Sequence, residues 1–160
     1  MMEGQIENID LVYLWVDGND PVWMKKKQET LNSHKTQFSV NLAGRYISND
    51  EIKYSLRSVE KHLPWIRNIY IVTDNQVPSW LNVENPRVRI VDHKEILPEI
   101  ALPCFNSSII EMFIYRIPGL SEHFLYANDD NFVNADLSPS FFFAEDKFPI
   151  IRFQFQFAHK

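Results

Sequence analysis

Short apolar runs, each closed by a turn-forming residue, alternate along the chain with stretches whose apolar residues recur every three or four positions. Ile9 to Val16 (IDLVYLWV) is the first run; it ends at Asp17-Gly18 and reads as a buried strand followed by a turn. Asp20-Pro21 supplies an N-cap and a first-turn proline, which predicts a helix from Pro21 to about Leu31. The stretch from there to Gly44 has little periodicity and reads as a loop. Ser48 and Glu51 have capping-box spacing. Behind them Ile52, Leu56, Val59 and Leu63 share one helical face, with Lys53, Arg57 and Lys61 on another, until Pro64 stops the helix.

Asn68 to Thr73 (NIYIVT) and Arg87 to Val91 (RVRIV) read as two further buried strands, closed by Asp74-Asn75 and Asp92-His93. Asn106 or Ser107 opens a third helix, with Glu111 in its first turns, that runs to Ile117 and stops at Pro118-Gly119. His123 to Ala127 (HFLYA) is a fourth strand entering Asn128-Asp129-Asp130. Ile151, Phe153, Phe155 and Phe157 alternate with polar residues at the period of a half-buried strand. Strands alternating with helices require mainly parallel pairing through right-handed crossovers. The expected fold is therefore α/β, an open and mainly parallel sheet with flanking helices, and no repeat or linker divides residues 1–160.

Composition narrows the class. With 160 residues, 45% of them hydrophobic and 14% aromatic, the chain suits one folded domain and excludes collagen-like or disordered classes. Sixteen basic against 21 acidic residues, a net charge of −5, argue against a nucleic acid or an anionic lipid surface as partner. Cys104, the single cysteine, cannot form an internal disulfide and reads as packing in a reducing compartment. The opening MMEGQIENID lacks the layout of a signal peptide, and no stretch approaches the roughly 18 apolar residues of a transmembrane segment. The expectation is a soluble, cytoplasmic protein.

Ligands of open α/β sheets bind outside the carboxyl ends of the strands, and here that edge is acidic: Asp17, Asp74, Asp92 and the pair Asp129-Asp130 each follow a strand. Clustered carboxylates raise one another's pKa values, whereas a hard divalent ion, Mg²⁺ or Mn²⁺, neutralises them and can hold a diphosphate. Asp-Gly and Asp-Asn are also ordinary turn chemistry, the reading preferred for Asp74 and Asp92, while Asp17 stays open between turn and site. Adjacent carboxylates make a poor turn, so Asp129-Asp130 reads as a metal or nucleotide site. Arg57 and Arg116 are candidate phosphate-gripping cations, with a solvated helix face as the alternative for Arg57. The five histidines show no metal spacing, and no P-loop, dinucleotide or serine-hydrolase string occurs.

IDLVYLWVDGNDP (Ile9 to Pro21) resembles the first conserved region of the Stealth family of sugar-phosphate transferases. RYISNDEIKYSLRSVEKHLPWIRNIYIVTDNQVPSWL (Arg45 to Leu81), continued by VRIVDHKEILP, LPCFNSSIIE and YRIPGLSEHFLYANDD, resembles the second, so the two span about 9–21 and 45–143. The resemblance implies a nucleotide-sugar-binding core of glycosyltransferase-A-like character. It further implies transfer of a hexosamine 1-phosphate from a UDP-HexNAc donor to a hydroxyl of a glycan acceptor, forming a phosphodiester and releasing UMP, in capsular polysaccharide or exopolysaccharide synthesis. Asp17 matches the acid of WVDG, Arg57 the arginine of SLRS, Asn106 and Glu111 the FNSSIIE segment, Arg116 the arginine of RIPGLSE, and Asp129-Asp130 the NDD pair.

The expected assignments follow from that match. Arg57, Arg116 and Glu111 are catalytic candidates; Asp17, Asn106 and Asp74 are donor-binding candidates; Asp129, Asp130 and Asp17 are candidate ligands of Mg²⁺ or Mn²⁺. The base that deprotonates the acceptor stays unassigned. Ser48, Cys104 and Tyr115 stand where the family commonly has an acid, a threonine and a histidine. Family members carry two further conserved regions toward the C-terminus, so a domain truncated there is expected. Two alternatives accompany this reading: an ordinary glycosyltransferase that releases UDP, and a catalytically incomplete nucleotide-sugar-binding fragment. The family context also implies, at most, peripheral membrane contact through a capsule-assembly complex.

Overall fold

The computed structural model describes residues 8–34 and 49–152. Within them lie four strands, β1 (Ile9–Leu14), β2 (Ile69–Thr73), β3 (Val88–Asp92) and β4 (His123–Asn128). They form one sheet in the order β3-β2-β1-β4, and every pairing is parallel, as the alternation of strands and helices requires. The register is level: Leu14 lies opposite both Val72 and Asn128, and Thr73 opposite Asp92. Asp17, Asp74 and Asp129-Asp130, which follow their strands, and Asp92, which ends β3, consequently lie at one common edge.

Alternating residues of the strands feed two cores. Leu11, Tyr13 and Trp15 pack with Ile69, Ile71, the apolar residues Ile52 and Val59 of α2 (Glu51–His62), and Leu63 at its C-cap. Val12, Tyr70, Val72 and Val91 face the other way, onto Ile96, Cys104, Ile110, Ile114 and Ile117. Helices thus cover both faces, the arrangement a parallel sheet of apolar strands demands. The helix predicted after Asp20-Pro21 is α1 (Pro21–His34); Asp20 Oδ1 accepts from the backbone N–H of Val22 at 2.8 Å, as an N-cap should. Among the described residues no helix is long and apolar enough to cross a membrane.

Local details differ from the sequence reading. Asp50, at φ 62°, precedes α2 and makes no side-chain cap; the Glu51 carboxylate instead folds back on the Asn49 backbone N–H (2.7 Å) and side-chain amide (2.9 Å). α1 continues to His34, past the end expected at about Leu31, and the rest of the expected loop to Gly44, Ser48 and the alternating Phe153, Phe155 and Phe157 lie outside the described residues. Asp92 caps a short helix that periodicity did not reveal, α3 (His93–Ile96), in a capping box with Glu95. The third predicted helix is broken. α4 (Ser107–Glu111) gives way at Phe113 (φ −112°, ψ 3°) to a 3₁₀ turn, Ile114–Arg116, whose tighter winding still keeps Ile110, Ile114 and Ile117 in one core.

At the opposite edge of the sheet sits Asp10, fully buried. Its oxygens accept from Arg67 Nε (2.9 Å) and Nη2 (2.5 Å) and from the backbone N–H groups of Asn68 (3.1 Å) and Ser121 (2.7 Å). Arg67 Nη2 also reaches the carbonyl of Gly119 at 3.0 Å. One carboxylate therefore joins the entries of β1, β2 and β4. Arg67 is 37% exposed and keeps water when Asp10 is removed, so the cost falls chiefly on the two backbone N–H groups left without an acceptor, at about 1–3 kcal/mol each. Asp10→Ala is expected to lose about 2 kcal/mol or more in urea unfolding monitored by circular dichroism; a loss under about 1 kcal/mol, the scale of a surface pair, would contradict this role.

Candidate functional site

In the strand order β3-β2-β1-β4 the chain leaves β1 toward β2 and returns to the other side of β1 as β4, which makes the β1/β4 boundary the topological switch point of the sheet. A cavity of about 370 Å³ opens there. Leu14, Trp15 and Val16 line it from the end of β1, and Tyr126, Asn128, Asp129 and Asp130 from the end of β4. Trp23 of α1 and Phe105, whose rings meet edge to face at 5.5 Å, close one flank, and His93 and Cys104 contribute too.

Electrostatically the cavity is acidic. Burial first, and then the charge of Asp130, push the Asp129 carboxyl above the usual carboxylate range. Among the described residues neither Asp129 nor Asp130 has an ion-pair partner. The Tyr126 hydroxyl donates to Glu111 at 3.1 Å and to Asn128 Oδ1 at 3.3 Å. Burial, followed by the hydrogen bond to Glu111 and the charges of Glu111 and Asp129, raises its pKa well beyond that of a free phenol, so it is a neutral donor. His93 is buried, which lowers its pKa below the ordinary histidine value against the opposing pull of Asp74 and Asp92; its ring is neutral at pH 7. Burial likewise raises the Cys104 thiol, consistent with a packing role.

A second cavity, about 790 Å³, lies on the other side of Trp15, which lines both. Asp17 and Asp20 belong to it, together with Asp50, Gln76 and Trp80. Gln76 organises this rim: its Oε1 accepts from the Asp17 backbone N–H at 2.9 Å, while its Nε2 donates to Asp20 Oδ2 at 2.9 Å and the Asp17 carbonyl at 3.1 Å. That bond to Gln76 is the main cause holding the Asp20 carboxyl below its usual range.

The structure therefore divides the predicted residues. Asp129, Asp130 and, through Tyr126, Glu111 come together at the first cavity, while Asp17 lines the second. Among the described residues no three His, Cys, Asp or Glu side chains are grouped to hold a metal ion, so the Asp17, Asp129 and Asp130 set is not assembled. Asp74, expected at the donor, lines neither cavity; its Oδ1 lies 2.5 Å from Lys26 Nζ of α1. Asn106 accepts from the Ser108 backbone N–H at 3.0 Å as the N-cap of α4, between the cavity-lining Phe105 and Ser107. Arg57 and Arg116 are exposed and line neither cavity, their guanidinium carbons 5.8 Å and 6.0 Å from the rings of Tyr54 and Phe113.

Sequence reasoning left His93, Gln76, Trp15 and Tyr126 without roles. The signal for His93 and Gln76 was their place, within two residues of a strand-end aspartate.

Two family profiles match the chain: Stealth protein CR2, conserved region 2, over residues 45–151, and Stealth protein CR1, conserved region 1, over residues 7–35. The chain is 49% identical over 142 residues to a Lactiplantibacillus plantarum protein named exopolysaccharide phosphotransferase cps2G, covering 89% of this chain and 41% of that protein. It is 45% identical over 145 residues to Streptococcus pneumoniae capsular polysaccharide phosphotransferase WcwK (90% and 44%). With Haemophilus influenzae capsular polysaccharide phosphotransferase fcs1 it shares 47% over 138 residues (84% and 37%). The chain spans about two fifths of the length of these curated relatives.

The raised Asp129 pKa has a consequence for stability. The folded state binds that proton more tightly than the unfolded chain, so the penalty appears as pH rises through the raised pKa and is absent below the ordinary carboxylate value. In metal-free buffer Asp129→Asn is expected to melt higher than the parent at about pH 7, with the advantage gone at about pH 3. Thermal unfolding at both pH values checks this; a parent that melts higher at neutral pH without metal would contradict it.

Proposed function

The chain belongs to the Stealth family, and from that premise we propose that it forms the donor side of a polysaccharide phosphotransferase. In this reading a UDP-HexNAc donor gives its hexosamine 1-phosphate to a hydroxyl of a glycan acceptor. The acceptor oxygen bonds to the phosphorus that carries the sugar, the P–O bond between the two phosphates breaks, the hydroxyl proton passes to a base, and UMP leaves.

The observation that carries the reading is the first cavity, whose aromatic walls stand beside the Asp129-Asp130 pair at the switch point. Its volume is at the lower end of the roughly 300–1,000 Å³ of ligand pockets. Trp15, Trp23 and Phe105 give the cavity an aromatic lining suited to a nucleobase. Asp129 and Asp130 fit a divalent ion, Mg²⁺ or Mn²⁺, because they are adjacent, lack ion-pair partners among the described residues and, with no third protein carboxylate, leave positions for diphosphate oxygens and water. When bound, the ion supplies positive charge against the diphosphate. Glu111 acts through Tyr126, fixing the phenol at the wall as a positioning residue. His93, neutral and buried, offers a polar edge that carries no charge.

Titration of the purified chain with UDP, with and without Mg²⁺, tests this. Metal-dependent binding is expected, weakened about tenfold or more, ~1.4 kcal/mol, by Asp129→Asn/Asp130→Asn. Binding indifferent to both the metal and the pair would overturn the assignment. In samples that also hold UDP-N-acetylglucosamine and a short glycan, ³¹P NMR is expected to show a new diester with UMP; UDP in its place would mean glycosyl transfer instead.

A further inference from the structure

The donor reading leaves the second cavity without an occupant. Three carboxylates line it, Asp17, Asp20 and Asp50, together with side-chain amides such as Asn49 and Gln76 and the indole of Trp80; no Lys, Arg or His does so among the described residues. Lys53 lies next to this lining, its Nζ 5.7 Å from the Trp80 ring centre, yet the three carboxylates would repel a phosphorylated ligand more than Lys53 would attract it.

A neutral, polyhydroxylated ring suits the lining. Each hydroxyl can donate to a carboxylate and accept from an amide such as Asn75, the Gln76 amide being committed to Asp17 and Asp20, and the apolar face of a sugar can lie on an aromatic ring. The rim is held in place beforehand: Gln76 bridges Asp17 and Asp20, and Trp80 Nε1 donates to Asp50 Oδ1 at 3.0 Å. Trp15, which lines both cavities, is 7% exposed and has an Nε1 donor without a hydrogen-bond partner. A buried donor in that state costs about 1–3 kcal/mol unless a ligand or water accepts from it.

We propose that the second cavity binds a neutral sugar residue, and that this sugar belongs to the acceptor glycan, because Trp15 forms a wall common to both cavities. The step from sugar to acceptor rests on the donor reading of the first cavity; the sugar site itself does not.

Saturation-transfer NMR on the full chain tests the site, with lactose, methyl α-glucoside and methyl N-acetyl-β-glucosaminide as probes. At least one sugar is expected to take up saturation, to keep it when UDP and Mg²⁺ are added, and to lose most of it in Trp80→Ala but not in Trp80→Phe, which retains a flat ring. Asn75 lines the cavity at φ 56°, so Asn75→Gly removes an amide with the left-handed backbone accommodated and is expected to weaken the signal as well. No saturation of any probe, a signal unchanged in both Trp80→Ala and Asn75→Gly, or displacement by UDP would overturn the proposal. Circular dichroism of the same samples reports whether each variant is folded, and UDP binding by the parent chain reports separately on the donor reading.

Discussion

Asp10 sits inside an apolar strand, shielded from solvent, and its carboxylate is satisfied only because Arg67 and the backbone N–H groups of Asn68 and Ser121 converge on it. A buried charge tolerates little displacement of its partners, since each lost bond leaves an expensive orphan. That intolerance fixes the relative height of β1, β2 and β4 at their entries. Parallel strands that begin level and differ by no more than one residue in length also end level, and so Leu14, Val72 and Asn128 meet in register. The acidic edge on which the functional reading stands is the far consequence of one carboxylate at the near edge.

What happens at that edge depends on which neighbour each strand end has. Where β1 adjoins β4, the chain departs in opposite directions and leaves a cavity with aromatic walls and two adjacent carboxylates. Where β1 adjoins β2, Gln76 stitches the two exits together and the rim is built from carboxylates and amides. Trp15 stands between them. The first cavity keeps a carboxyl in a setting that disfavours its charge, an arrangement that weakens the empty fold and suits an incoming cation. The two cavities thus differ in chemistry as well as position, the first with aromatic walls beside two adjacent carboxylates and the second lined by carboxylates and amides.

The sheet was legible because its strands are apolar runs punctuated by aspartates, and because parallel pairing follows from the intervening helices. α2 was legible from the 3.6-residue spacing of Ile52, Val59 and Leu63, all buried as that spacing requires. Short elements escaped. α3 spans four residues, too few for any periodicity, and α4 yields to a 3₁₀ turn although Ile110, Ile114 and Ile117 keep a helical spacing throughout. For the site, Asp129-Asp130 stood out because adjacent carboxylates have no structural excuse. Asp17 and Asp74 looked similar in sequence, yet one lines the second cavity and the other pairs with Lys26, a contact 48 positions away that no local pattern encodes. Asp10 gave no warning either: within IDLVYLWV it is merely a polar interruption, and its partners come from residues 67, 68 and 121.

The central claim is that metal and donor meet at the β1/β4 boundary and not at the equally acidic rim beside it. Paramagnetic broadening of backbone amide signals by Mn²⁺, recorded on the isotope-labelled chain with UDP present, reads the position of the ion directly. The account predicts that broadening centres on Asn128, Asp129 and Asp130 and falls away toward Asn49, Asp50 and Ser79. Broadening centred on Asp17, Asp20 and Asp50 would contradict it, moving the metal to the second cavity and the donor with it.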